Sequence, residues 1–321
     1  MTTRATSAPV CLVCGGTWTS RSLFGGYRYL GRNYYRLRCD DCGFIFVDPM
    51  PTNEAFAAMY DDSYFDAYYG GAGDGVGYDD SAAAVTAKAE QILDRLARHK
   101  PSGTILDIGC AGGHFLAAAK ARGYAGFGIE LNERQAQHAR TAYGLDVFSG
   151  TYDEAEGQLA GRRFDVVYMG DSLEHLPDPR TALERAGALL APGGVFVLNG
   201  PITLNTSLFT AVLRLKLFLG KGRSEWYADG PPYHLWEWNA ATMRRFLVDS
   251  GLAPIEFTTW EDPGRPADVL TAVLKRPLTA AESGALRLKT ASSWLTNTVF
   301  RGCHWGDRVI AISRLTSRGK T

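Results

Sequence analysis

The stretch TILDIGCAGGHF, residues 104–115, decides the fold. Apolar residues run up to an acid, Asp107. Three glycines follow at Gly109, Gly112 and Gly113, and a helical pattern opens with Phe115 and Leu116. A strand, a glycine turn and a helix in this order bring backbone close to a ligand. A dinucleotide fingerprint needs G-x-G-x-x-G, and Gly109-Cys110-Ala111-Gly112-Gly113 breaks that spacing. No G-K-S/T follows, which excludes a P-loop. Asp107 stands just before the turn, where it repels a phosphate and suits a cation.

The neighbouring segments extend the pattern. TILDIG reads as a strand and GGHFLAAAKARG as a helix closed by Gly123. AGFGIE is the next strand, NERQAQHARTAYG the next helix and LDVFSG another strand. FDVVYM is a fourth strand, DPRTALERAGALLAPGG the helix after it and VFVLNGP a fifth strand. Upstream, DSAAAVTAKAEQILDRLARHK carries Val85, Ile92, Leu93 and Leu96 on one helical face behind an Asp or Ser cap. Strands alternating with helices predict a doubly wound, mainly parallel α/β sheet, with ligands at the carboxyl ends of its strands. Glu130 ends the second strand, 23 residues after Asp107, where an acid accepts hydrogen bonds from ribose hydroxyls. The pair asks for a ribose and a positive charge without a phosphate, the profile of S-adenosylmethionine.

The set LDIGCAGGHF, GIE, FDVVYMGDSLEHLPDP and LLAPGGVFVLNGP resembles the class I S-adenosylmethionine-dependent methyltransferases over residues 80–260. The resemblance implies a seven-stranded Rossmann-like sheet whose last, antiparallel strand (GDRVIAISRL here) lies at the edge. It places Asp107 and Gly109 at the methionine portion and Glu130 at the ribose, with Cys110 as a small filler and Gly112 and Leu131 as further cofactor-binding positions. Thr151 and Tyr152 fall near adenine, and Gly170 and Asp171 near the transferred methyl. It implies methyl transfer to a small molecule of biosynthetic origin, sugar- or lipid-like molecules among them, at oxygen, carbon or nitrogen.

Six cysteines are present, four of them in CLVC (11–14) and CDDC (39–42), each pair followed by a glycine. Cys11, Cys14, Cys39 and Cys42 suit a tetrahedral Zn²⁺, with a hairpin through GGYRYLGRNYYRLR between the pairs. Redox pairs normally come singly beside a βαβ unit, so two matched pairs favour metal. Four thiolates leave no open position, which makes the ion structural. A short module with little core of its own needs that bond to stay folded. With GF-x-F-V-D-P-x-P, the pairs also resemble the N-terminal zinc module of some methyltransferases, including sugar C-methyltransferases of antibiotic pathways. These carry an additional C-terminal domain that this chain is too short to hold. The expected division is a zinc-binding module at 1–52, a segment at 53–79 and a methyltransferase domain at 80–321 with a cap insertion at 201–238. The segment crowds Tyr60, Tyr64, Phe65, Tyr68 and Tyr69 beside glycines. It reads equally as an aromatic lid, with Tyr64 at the cofactor or substrate, or as a core-packed helix face followed by a linker.

Two histidines have the context of a general base: His175 in GDSLEHLPDP and His234 in GPPYHLWEWN. Each also reads as a structural hydrogen-bonding group. Glu174 and Glu237 are candidate orienting partners, and Tyr233 a candidate substrate contact. His99, His114, His138 and His304 read as solvated. The apolar stretch within 207–223 reads as a cap helix packed on its own domain or on a second subunit, in preference to a membrane contact.

Composition narrows the classes. The 321 residues are 45% hydrophobic, and Lys+Arg and Asp+Glu both count 34. A formal charge of zero argues against a nucleic-acid partner. No apolar run reaches the roughly 18 residues of a membrane span. MTTRATSAPV lacks an apolar signal core, so a cytoplasmic location is expected.

Overall fold

The computed structural model describes residues 9–60, 78–219, 227–264 and 277–316. Tyr64, with the rest of the proposed lid from residue 61 onward, lies outside them.

β1 (Thr19–Tyr29) and β2 (Arg32–Cys39) form the hairpin between the cysteine pairs, turning at Leu30 and Gly31, both at positive φ. β3 (Ile45–Asp48) pairs with β2, and α1 (Asn53–Met59) follows. α2 (Tyr78–Ala97) begins ahead of the expected Asp80, which stands inside its first turn. Then come β4 (Thr104–Ile108), α3 (His114–Ala121), β5 (Ala125–Glu130), α4 (Glu133–Tyr143) and β6 (Asp146–Ser149). Short α5 (Glu156–Leu159), β7 (Phe164–Gly170) and α6 (Pro179–Ala188) continue the alternation. α4 has side-chain and glycine punctuation: Asn132 accepts from the Gln135 amide, and Gly144 closes the helix at φ 58°.

Two expectations are corrected. α6 ends at Ala188, because Pro192 and Gly193 (φ 73°) cannot extend a helix. LAPGG instead opens β8 (Leu190–Pro201), with Leu190 paired to Phe164. After α7 (Leu208–Leu219), β9 (Tyr227–Asp229), β10 (Trp236–Glu237) and α8 (Ala240–Asp249) comes β11 (Leu252–Trp260). α9 (Ala280–Thr298) and β12 (Arg308–Leu315) close the described chain. β12 is antiparallel but not an edge strand, because β11 takes the edge and β12 lies between it and β8. The apolar residues Val13, Phe44 and Phe46 of the N-terminal module join the core on one face of the large sheet.

The seven-stranded sheet runs β11-β12-β8-β7-β4-β5-β6, with β4, β5, β6, β7 and β8 parallel. Strand order reverses between β4 and β7, which puts the binding crevice at their carboxyl ends. Alternation along the strands feeds two cores. Val195, Val197, Val166 and Ile310 pack with Leu93 and Leu96 of α2 on one face. Phe196, Leu198, Val167 and Val309 pack with Leu183 and Phe246 on the other. A second sheet, β10-β3-β2-β1-β9, is built from the N-terminal hairpin plus two short strands of the insertion, with Trp236 opposite Phe46 and Tyr227 opposite Gly26. α7 packs on α9, where the Phe209 amide donates to Ser292 Oγ at 2.9 Å. No described helix is long and apolar enough to cross a membrane.

Candidate functional site

The parallel strands deliver three acids to one rim. Asp107 is the fourth residue of β4, Glu130 ends β5 and Asp171 follows β7. The turn after β4 needs its glycines. Gly109 has φ 84°, and a Cβ there would lie 3.0 Å from Ser172 Cβ. At Gly113, also φ 84°, a Cβ would lie 2.6 Å from Leu145 Cδ1. Ala111 between them is held at φ 45° and Asp171 at φ 52°, conformations that non-glycine residues adopt at a cost and that cluster at ligand sites. Cys110 is buried, and a Cβ at Gly128 would lie 2.6 Å from its sulfur, so this position has room only for a small side chain.

Both oxygens of Glu130 accept backbone amides, from Ala111 and Asn132, at 2.8 Å each. One acid thereby ties the glycine turn to the start of α4, and each oxygen keeps a lone pair for a hydroxyl. Burial nevertheless raises its pKa. Asp107 is 2% exposed, and among the described residues its Oδ1 has no hydrogen-bond partner. Burial first, then the nearby Glu130 charge, pushes its carboxyl well above the usual range. Ser172 Oγ and Asn199 Oδ1 are likewise buried without a partner, and Asn199 is the β8 residue beside Gly170. Unpaired buried polar atoms are costly, so this cluster has the character of a site completed by a ligand.

At the other end of the crevice, Leu131 is 39% exposed beside Glu130. Tyr152 is buried, its hydroxyl lacks a partner among the described residues, and Arg185 lies over its ring. The Thr151 hydroxyl accepts from the Glu154 amide and donates to its carboxylate. Asp171 accepts from Lys88 and Arg308 at 3.0 and 2.8 Å. Burial opposes its charge, but Arg308 and then Lys88 prevail and hold its pKa below the usual value.

The two candidate bases meet. His175 and His234 have ring centroids 5.1 Å apart at 73°. His175 Nδ1 lies 2.8 Å from the Tyr233 carbonyl and 3.0 Å from the Tyr60 hydroxyl. Its Nε2 lies 3.7 Å from Glu174, which is 3% exposed. Burial lowers the His175 pKa. Burial and then His175 lower that of His234 to about 3. Burial and the Asp171 charge push Glu174 up to about 8. Glu237 does not orient His234, because Arg36 and the Thr203 hydroxyl occupy it. Nor is His114 solvated: it is 5% exposed and lies 3.0 Å from the Tyr143 hydroxyl. His138 Nδ1 lies 3.3 Å from the Gly112 carbonyl, and His99 pairs with Glu256. These contacts come from the neighbouring helix α4 and from β11, which a local sequence context does not reveal.

Lys88, Ser172, Asn199 and Arg308 join this candidate site without a local motif to mark them. Only Asn199 left a trace, as a polar residue inside the apolar run VFVLNGP.

The four cysteines converge. Cys11 and Cys42 sulfurs lie 3.6 Å apart, Cys14 and Cys39 sulfurs 3.5 Å, and all four fall within 4.8 Å of one another. A disulfide needs about 2.05 Å. Four sulfurs about 2.3 Å from a tetrahedral ion sit about 3.8 Å apart, so the set fits a zinc ion. The two knuckles match, with the Gly15 amide donating to the Cys11 carbonyl and Gly43 to Cys39, both at 2.9 Å.

Residues 82–256 match the family described as a methyltransferase domain. The chain is 32% identical over 131 residues to the 27-O-demethylrifamycin SV methyltransferase of Amycolatopsis mediterranei, covering 38% of this chain and 48% of that protein. It is 33% identical over 144 residues to a ubiquinone biosynthesis O-methyltransferase of Alkalilimnicola ehrlichii, covering 42% and 57%. It spans about half the length of these relatives. Among solved structures, the 1,6-didemethyltoxoflavin-N1-methyltransferase of Burkholderia thailandensis superposes with a TM-score of 0.51 at 16% identity, over 88% of this chain and 96% of that one. A cyclopropane synthase of Mycobacterium tuberculosis gives 0.50 at 17%, over 83% and 99%. At these identities, the two structures share the fold.

Proposed function

The chain belongs to the methyltransferase-domain family, and from that premise we propose that it transfers the methyl group of S-adenosylmethionine to a hydroxyl of a small-molecule acceptor. The observation that carries this reading is Asp107: a buried carboxylate with an unpaired oxygen, on the strand end next to Glu130, at the reversal of strand order. A cationic nucleoside without phosphates satisfies both acids. Its ammonium pairs with Asp107 beside Gly109 and Gly112, and its ribose hydroxyls use the free lone pairs of Glu130. Adenine lies toward Leu131, Thr151 and Tyr152, and the sulfonium toward Gly170 and Asp171. Oxygen is the favoured acceptor atom because the curated relatives include O-methyltransferases. The transfer is an in-line displacement, so alignment of the hydroxyl and removal of its proton are what remain for the protein. His175 and His234, next to the sulfonium end, are the groups placed to take that proton.

The four cysteines hold a structural zinc ion, fixing the second sheet whose strands β9 and β10 bracket His234. Incubating the chain with methyl-labelled S-adenosylmethionine and a panel of phenols and polyketide alcohols is expected to give labelled product and an equal amount of S-adenosylhomocysteine. Label entering only nucleic acid or protein contradicts the small-molecule reading.

A further inference from the structure

Beyond the carboxylates that face the cofactor, three ligating side chains converge on the acceptor side of the crevice. One donor atom each from Glu174, His175 and His234 lies within 4.8 Å of the other two. Asp171, whose charge acts on Glu174, is taken by Lys88 and Arg308, which leaves Glu174 beside the imidazoles. The Tyr233 carbonyl takes the Nδ1 proton of His175 and so fixes its tautomer with the Nε2 lone pair toward Glu174. This is the outer support that metal-bound histidines usually have. The distance from Nε2 to the Glu174 oxygen, 3.7 Å, is too long for a hydrogen bond. It suits two ligands of one ion, which at about 2.1 Å each stand up to about 4.2 Å apart.

We propose that Glu174, His175 and His234 bind one divalent cation of the class that imidazole and carboxylate share, such as Mn²⁺, Fe²⁺ or Zn²⁺, whose open positions take the acceptor's oxygen. The proposal rests on the methyl-transfer reading for the location of the acceptor. It changes the imidazoles from proton acceptors into ligands. Three protein ligands leave coordination positions free, unlike the four thiolates. A bound cation lowers the pKa of a coordinated hydroxyl. The hydroxyl proton then passes to water, the sulfur–methyl bond breaks with its electron pair left on sulfur, and the oxygen–methyl bond forms.

The test is a titration of Mn²⁺ into the full chain with its four-cysteine site filled by Zn²⁺, free manganese being read by electron paramagnetic resonance. One Mn²⁺ per chain is expected, with affinity at least roughly tenfold lower in Glu174→Gln and in His234→Gln. S-adenosylhomocysteine binding on the same samples reports whether each variant is folded. No uptake by the wild-type chain, or uptake unchanged by both substitutions, overturns the proposal. Nucleoside binding without manganese removes the ion and leaves the methyltransferase reading standing. Manganese without nucleoside removes that reading and keeps the ion site.

Discussion

The two sheets are stabilised in different ways. The seven-stranded sheet is assembled largely from neighbouring βα units, and side chains alternate into cores on both of its faces. The five-stranded sheet joins strands about 190 residues apart in the chain, since Trp236 pairs with Phe46 and Tyr227 with Gly26. Its short strands β9 and β10 add few backbone bonds, and four thiols stand at the base of its hairpin. Closing a long loop costs more chain entropy than closing a short one. One sheet is therefore a platform that packing alone can hold. The other shares a core with it through Phe44 and Phe46 and has the proposed zinc site at the base of its hairpin, and the histidine pair lies where the two meet.

Removing the proposed zinc ion tests this contrast most severely, because binding of structural zinc contributes roughly 10–16 kcal/mol in zinc-finger peptides. Chelation, or Cys39→Ser with Cys42→Ser, is expected to abolish hydrogen-exchange protection in β1, β2 and β3 while β4, β5, β7 and β8 keep theirs. Equal loss in both sheets breaks the comparison. Within the platform, Glu130→Ala strands the amides of Ala111 and Asn132, at about 1–3 kcal/mol each. Thermal unfolding should show a destabilisation of roughly 2–5 kcal/mol together with weaker nucleoside binding. Gly113→Ala combines a positive φ with a methyl pressed on Leu145 and Ala139, and a loss of about 1–3 kcal/mol is expected from denaturant melts. The smallest effect is on pH dependence. A carboxyl whose folded pKa is raised stabilises fully below its unfolded pKa and loses that contribution as pH rises through the folded value. Asp107 therefore makes the cofactor-free chain less stable as pH rises above the ordinary carboxylate range, and Asp107→Asn should flatten that slope.

The platform was legible because its elements repeat a local pattern. AGFGIE coincides with β5, and the punctuation of α4 by Asn132 and Gly144 is written within the segment itself. The acids at the strand tips follow from that pattern. The second sheet was legible only as a cysteine spacing. β9 and β10 span three and two residues, too few for a periodicity, and their partners lie in the N-terminal hairpin. The same reason hid the pairing of Asp171 with Lys88 and Arg308, 83 and 137 residues away in the chain. His114 looked exposed because its burial is supplied by Tyr143 of the next helix.

Titration calorimetry with S-adenosylmethionine in buffers of differing ionisation enthalpy tests the central claim most directly. If the cofactor ammonium seats against Asp107, the cation draws down the carboxyl pKa that burial raises, and any proton the cofactor-free carboxyl holds leaves on binding. Asp107→Asn then removes that buffer-dependent release and weakens binding by roughly 1.5–3 kcal/mol, the range of a charged hydrogen bond. Tight uptake of NAD or ATP by a chain that ignores S-adenosylmethionine would contradict the account.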